Sequence, residues 1–406
     1  MPDDFSDLIP RFDLRGMDLQ LDRMRHALDE LGFPCADVPA IQVAGTNGKG
    51  SIAAFLSSAL QRAGIKTGLT TSPHLVNWCE RIRVDGGMIA EAELRSRLVA
   101  QRKICERNKL TPFEQLLAVA FEYFASNQVD VLVLEVGLGG RLDATTAHPK
   151  RPVIAMASIG MDHCEHLGHT LQAIATEKAA VISPGATVVS AYQDPAVAEV
   201  LEAACRQQQA RLAWVEPLGC EWNLGLKGVM QRSNAAVALG ALHALDGLGW
   251  PVPEAAIRTG FAETRWCGRL QTVHWKSLPL RIDGAHNPAA AVQLALERQS
   301  WPGEQLGVCW ILGIQAHKQA ITMLQSLIKP ADQIWIVPVP GHSSWDRAML
   351  VEQEESWGEQ MHQSSSSEAA LETIRAQGPW PDPFPILAGS LYLIGDLFSR
   401  CLVTAE

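Results

Sequence analysis

At 406 residues, with 47% hydrophobic and 19% charged side chains, the chain is longer than one core usually supports and too apolar for a disordered or fibrous protein, so two folded domains are expected. A formal net charge of -10 leaves no basic footprint for a nucleic-acid backbone, so small anionic substrates must find locally placed cations. The nine cysteines are scattered, odd in number and free of any C-x-x-C pair, which reads as reduced core thiols and excludes a disulfide framework or a zinc site.

The first residues, MPDDFSDLIPRFD, are acidic and lack an apolar stretch, so no secretory leader is read there. No run reaches the roughly 18 apolar residues of a spanning helix, and the cytoplasm is the expected compartment. Ala40-Ile41-Gln42-Val43-Ala44 reads as a strand, and Ser51 to Ala63 as the helix behind it, closed by Gly64. Between them lies Gly45-Thr46-Asn47-Gly48-Lys49-Gly50-Ser51. A glycine-rich turn from strand to helix can cradle phosphate oxygens on backbone N–H groups, and Lys49 can reach the terminal phosphates. The spacing departs from G-x-x-x-x-G-K-[ST], because two residues separate Gly45 from Gly48 and Gly50 intervenes before Ser51.

Further strands are expected at Val129 to Leu134 and Pro152 to Ser158, each ending in a cluster rich in Gly, Asp, Glu or His. In open α/β sheets such strand ends are where ligands bind. Leu171, Ile174, Ala175, Val181 and Ile182 recur at helical spacing around Lys178. A break at 264 to 279, containing Trp266, Gly268, Arg269 and the strand-like QTVHWKS, separates this series from a second one. That series has strands around Arg281-Ile282, Val308 to Leu312, Ile334 to Val337 and Ile386-Leu387. The run Ser364 to Ser367 reads as a solvated loop or helix start.

Taken alone, several residues keep bland readings. Glu135 is an ion-pair partner as readily as a metal ligand, His163 and His286 are loop histidines, and Lys178 is a snorkelling surface lysine. Together with the loop, however, Thr71-Ser72-Pro73-His74-Leu75, Leu134-Glu135-Val136-Gly137-Leu138-Gly139-Gly140-Arg141-Leu142-Asp143, Met161-Asp162-His163, Glu177-Lys178-Ala179 and Asp283-Gly284-Ala285-His286-Asn287-Pro288 form a set. That set resembles the Mur ligase superfamily and, within it, the folylpolyglutamate synthases and dihydrofolate synthases.

The resemblance covers the chain from about residue 18 to Gly389-Ser390-Leu391-Tyr392. It implies a P-loop Mur-ligase-type ATPase domain with a mainly parallel sheet (1–267), a linker or hinge (268–278) and a smaller α/β Rossmann-like C-terminal domain (279–406). The implied activity is ATP-dependent ligation of L-glutamate to dihydropteroate, to folate (poly)glutamates or to both through an acyl phosphate, by a monomer acting on small molecules. It further implies two magnesium ions on Ser72, Glu135, His163 and Ser51, with Lys178 carbamylated beside them. ATP falls to Gly45 through Ser51, to Asn234 and Arg269, and to Asp283 on the ribose. Lys49, Lys178 and His286 are the expected catalytic positions. The pterin-type substrate falls to Asp18-Leu19-Gln20, Thr111-Pro112-Phe113-Glu114 and Leu142-Asp143-Ala144, with Phe113 stacking on the ring. Met230 stands where many relatives have histidine, and Lys318-Gln319 where Lys-Asp is common, so adenine and glutamate contacts there stay open.

Three rivals are weighed. A peptidoglycan-precursor ligase would carry a nucleotide-sugar domain ahead of the loop, and 44 residues precede Gly45. A P-loop kinase or a nucleotide-binding regulator would not need the set Glu135, His163 and Lys178.

Overall fold

The short apolar runs become strands buried on both faces, the mark of parallel sheets flanked by helices. The computed structural model describes residues 5–10 and 20–405. They fold as two compact units, one running to Gly225 and resuming over Gln231–Arg265, the other made of Leu226–Met230 and the chain from Trp266 onward.

In the first unit β1 (Ala40–Ala44) is buried at every position and lies between two parallel neighbours, β5 (Val131–Glu135) and β6 (Val153–Met156). Outward from β5 come β2 (Thr67–Thr70), β3 (Ile82–Val84) and β4 (Gly87–Met88); outward from β6 come β7 (Thr187–Ala191) and β8 (Arg211–Val215). Only the β2–β3 and β3–β4 pairings are antiparallel, so β3 alone runs against the sheet. The sheet therefore grows in both directions from β1, which puts a topological switch point at its carboxyl end, where Gly45 begins.

In the second unit the order is β13-β12-β11-β14-β10-β9-β15. Parallel pairing joins β13 (Met361–Gln363), β12 (Gln333–Ile336), β11 (Cys309–Leu312), β14 (Ile386–Ala388) and β10 (Leu278–Ile282). Two antiparallel strands, β9 (Gln271–Trp275) and β15 (Val403–Ala405), complete the edge. Residues 268–278, expected as a linker, thus hold β9. The stretch QTVHWKS is strand up to Trp275, and Lys276 and Ser277, at φ 48° and 70°, make the two-residue turn into β10.

Two expectations change. The serine run begins a helix, with Ser366 accepting from Ala369 N, but Ser364 and Ser367 are buried. The cysteines are all free thiols, yet Cys220, Cys267 and Cys401 are exposed and so are not core. Among the described residues no helix is long and apolar enough to cross a membrane.

Candidate active site

The turn after β1 needs its glycines. Gly45 has φ 127°, and a Cβ there would lie 2.7 Å from Ala157 Cβ and 2.8 Å from the Ala157 carbonyl oxygen. Gly48 has φ 97°, and a Cβ would collide with the Asn234 side-chain oxygen, so the helix Met230–Asp246 delivers Asn234 against the turn. The helix Lys49–Arg62 starts immediately, with Gly48 as an N-cap that has no side chain to cover the first amides. Such a helix start accepts an anion. Two amides expected to cradle phosphate are already used: Thr46 N and Asn47 N both donate to Ser158 O, at 2.7 and 3.2 Å. The cradle is narrowed to the helix start.

Two lysines converge below this turn. Lys49 Nζ donates to Gly45 O (3.2 Å) and Thr46 O (3.1 Å), and Lys178 Nζ donates to the same Gly45 O at 2.9 Å. Lys178 sits on the helix Leu171–Ala179 and is 4% exposed, so the surface reading of this lysine falls. Burial, reinforced by the Lys49 charge, pushes its pKa down to about 7, against the pull of Asp162 and Asp143. Its helix is fixed by the Gly140 turn: Arg141 N donates to Glu177 O at 3.0 Å, and the Arg141 guanidinium pairs with the Glu177 carboxylate.

Glu135 ends β5 beside β1, in register with Val43, and its carboxylate accepts from Ser72 N at 3.1 Å. Ser72 and Glu135 are therefore brought together. Ser51 Oγ is buried and has no hydrogen-bond partner among the described residues. His163 follows the exit of β6 in a left-handed conformation (φ 49°), with Asp162 and Glu165 carboxylate oxygens each 3.8 Å from its ring nitrogens. Among the described residues no three His, Cys, Asp or Glu side chains cluster as a metal site.

The expected substrate residues divide. Asp18 and Leu19 lie outside the described residues, and Gln20 is exposed ahead of the helix Leu21–Glu30. Thr111 and Glu114 form a reciprocal capping box at the start of the helix Pro112–Ser126, with Pro112 buried in its first turn. The Glu114 carboxylate also takes Arg23 Nε at 2.8 and 2.9 Å. Asp143 is buried, and its oxygens accept from Gly137 N (2.9 Å), Leu138 N (3.0 Å), Thr145 N (3.0 Å) and Thr145 Oγ1 (2.5 Å). The carboxylates of Glu114 and Asp143 are thus engaged by backbone amides, by the Thr111 and Thr145 hydroxyls and by Arg23; Ala144 is buried beside Asp143. Phe113 and Leu142 are half-buried, and the Phe113 ring lies against Gly137, where a Cβ would sit 3.0 Å from Cζ.

In the second unit Asp283 follows β10 and accepts from Leu270 N and Ala285 N, both at 2.8 Å. The Arg269 guanidinium lies over Gly284, where a Cβ would be 2.8 Å from it. His286 Nδ1 is 2.8 Å from Gly284 O, and Asn287 caps the helix Pro288–Glu297 by accepting from Ala290 N. Lys318 is buried just ahead of the helix Ala320–Leu327, whose N-cap is Gln319. Sequence reasoning missed the Arg141–Glu177 pair and Gln193, which no local motif marks.

Residues 268–400 match the family model described as dihydrofolate synthetase, C-terminal domain. The chain is 32% identical to dihydrofolate synthetase of Saccharomyces cerevisiae, covering 78% of this chain and 81% of that one. It is 35% identical to dihydrofolate synthase/folylpolyglutamate synthase of Bacillus subtilis, covering 68% and 71%. Its fold is similar to the folylpolyglutamate synthase of Mycobacterium tuberculosis complexed with ADP and AMPPCP, at TM-score 0.87 and 27% identity over 100% of both chains. It is also similar to E. coli FolC in complex with DHPP and ADP, at TM-score 0.83 and 27% identity over 98% and 95%. Fold and site define an ATP-dependent ligase that forms an amide between a carboxylic acid and an amino acid while ATP is split to ADP and phosphate. The chain belongs to the folylpolyglutamate synthase/dihydrofolate synthase family.

Proposed function

We propose that this chain, as a cytoplasmic monomer, joins L-glutamate both to dihydropteroate and to reduced folate (poly)glutamates through an acyl phosphate. The observation that carries the reading is the end of β5. Glu135 sits beside the phosphate-loop strand, and two residues later Gly137 meets Phe113 at the start of the Gly137–Asp143 turn. One strand end thereby joins the phosphate side to an aromatic surface for a flat ring. The Bacillus subtilis relative carries both activities in its name, and the E. coli neighbour was solved with DHPP and ADP.

Ser51, Ser72, Glu135 and His163 would hold magnesium, since oxygen ligands suit a hard cation and Ser51 Oγ is a buried hydroxyl still lacking a partner among the described residues. Magnesium held there would supply charge neutralisation of the ATP tail. Lys49 adds a cation at the helix start, where the first amides accept phosphate oxygens. The pterin carboxylate attacks the γ-phosphorus and ADP leaves. The glutamate amine then attacks the acyl carbonyl, loses its proton and expels phosphate, which closes the balance. Lys178 near pKa 7 is partly a free amine at neutral pH, the form that adds carbon dioxide to give a carbamate and a released proton. That carbamate would replace a cation beside Lys49 by an anion facing the metal side. Arg269, Asp283 and His286 are the proposed nucleotide-facing residues of the second unit.

The test is mass spectrometry of products formed with ATP, glutamate and each pterin substrate alone, with ADP counted. Both substrates should gain one glutamate per ADP. Glutamylation of one alone would refute bifunctionality, and phosphate release without glutamate would favour the kinase reading.

A further inference from the structure

We infer that Gln193 is a positioning residue for the phosphate loop, acting through the segment Ala157–Gly160 that lies between them. The inference rests on the phosphate-loop reading of Gly45–Ser51.

After β6 ends, the backbone of residues 157–160 continues with its polar groups turned alternately to two sides. On one side Ala157 N donates to Ala44 O (2.8 Å), Ser158 O accepts from Thr46 N and Asn47 N, and Gly160 exchanges two 3.1 Å hydrogen bonds with Thr46 Oγ1. On the other side β7 should supply partners, but its pairing with β6 stops at Met156 with Ser190. There the Gln193 side chain takes over. Its Oε1 accepts from Ile159 N at 3.0 Å, and its Nε2 donates to Ala157 O at 3.1 Å and to Ser190 Oγ at 3.1 Å. A backbone N–H can only donate and a carbonyl can only accept, so these partners fix the amide's orientation.

A side-chain amide here stands in for one peptide group and extends the sheet by a residue. The consequence falls on the phosphate loop. Gly45 touches Ala157 closely enough that not even a Cβ fits, so a shift of Ala157 moves Gly45 and with it the carbonyl that holds Lys49 and Lys178. The same segment runs on to Asp162 and His163. Gln193 is half-buried and lies outside the hydrophobic cores, so replacing it perturbs the loop more than the fold.

The experiment compares full-length Gln193→Glu and Gln193→Ala with the parent and with Lys49→Ala, measuring ADP affinity by calorimetry with magnesium present, the three KM values and the melting temperature. A carboxylate keeps the Ile159 contact but faces the Ala157 carbonyl with no proton to give. Gln193→Glu should therefore raise KM for ATP and the ADP dissociation constant by about tenfold. Gln193→Ala should raise them less, while KM for glutamate and for the pterin stays within about twofold and the melting temperature within about 2 °C. Unchanged ADP affinity in Gln193→Glu, with binding lost in Lys49→Ala, overturns the inference alone. A uniform rise of all three KM values with a falling melting temperature also overturns it, as a merely structural role would give that pattern. ADP affinity unchanged in Lys49→Ala would overturn the phosphate-loop reading beneath it.

Discussion

Lys49 and Lys178 donate to one and the same acceptor, the carbonyl oxygen of Gly45, although 129 positions separate them in the chain. Two ammonium groups around one carbonyl repel each other, and the repulsion appears in Lys178, whose pKa drops to about 7 chiefly through burial and next through Lys49. The buried Lys178, beside a second cation, is thereby brought to where its neutral amine is populated near pH 7.

That asymmetry gives the first prediction. Lys178→Met keeps a chain of similar length in a site that is already desolvated, so the fold should persist while ligation falls at least about a hundredfold. With 13C-labelled bicarbonate, the parent should show a carbamate carbon resonance that is missing in Lys178→Met. A spectrum without that resonance in the parent removes the carbamate from the mechanism and leaves Lys178 as an amine.

Ser51 offers a test of the metal site that does not confuse stability with function. Its hydroxyl is buried without a partner among the described residues, so Ser51→Ala removes an unsatisfied polar group and should leave the melting temperature unchanged or slightly raised. If the hydroxyl faces magnesium, the magnesium concentration for half-maximal activity should rise about tenfold. An unchanged magnesium requirement would take Ser51 out of the metal site.

The sequence is most readable where backbone demands are extreme. Gly45 and Gly48 have to be glycine, and β1, β5 and β6 are buried on both faces, so pattern and motif coincide there. The edges are harder. β8 is only partly buried, and β3, β4 and β13 span three residues or fewer, too short to show a period. Pairs such as Arg141–Glu177 or Gln193 with Ile159 join a side chain to a distant partner and leave no local signature. Thr111-Pro112-Phe113-Glu114 carries two readings at once. Its Thr-x-x-Glu spacing is that of a capping box, which the helix start forms, and the family resemblance adds the expectation of substrate contact.

Glu114 and Phe113 can be separated by mutation. Glu114→Gln keeps an acceptor for Thr111 N but removes the carboxylate charge that Arg23 Nε faces, the two side chains being 11% and 5% exposed. A loss of about 1–2 kcal/mol in stability is expected, with the pterin KM within about threefold. Phe113→Ala should do the opposite, raising the pterin KM about tenfold with a smaller loss of stability, since the ring is half-buried against Gly137. Equal effects on pterin KM would return Glu114 to the substrate site.

Stability should fall in mild acid, and His148 should carry an identifiable share of the fall. The ring is 1% exposed, stacked on Phe121 at 5.4 Å, with Nε2 2.8 Å from Val38 O, which makes Nε2 the protonated nitrogen of a neutral imidazole. Burial is the main cause that pushes its pKa down to about 4, with Arg151 and Lys150 adding to it against the Val38 carbonyl. In the unfolded chain the same group titrates near 6.5. Between those values the unfolded state binds a proton that the folded state refuses, so the contribution is fully present above about pH 6.5 and is lost as pH falls toward 4. At pH 5 the loss attributable to this one group is about 2 kcal/mol. His74 is pushed lower still, to about 3, by burial and by Arg81, and contributes over the same range. Many carboxylates titrate below pH 5 as well, so the total slope proves nothing about one histidine. The comparison that isolates it is urea unfolding of the parent and of His148→Gln at pH 7 and pH 5, because glutamine can still donate to Val38 O but binds no proton. The parent should lose about 2 kcal/mol more than the variant between the two pH values. Equal losses would mean that His148 is already protonated in the folded protein, and that its contact with Val38 O is made by an imidazolium.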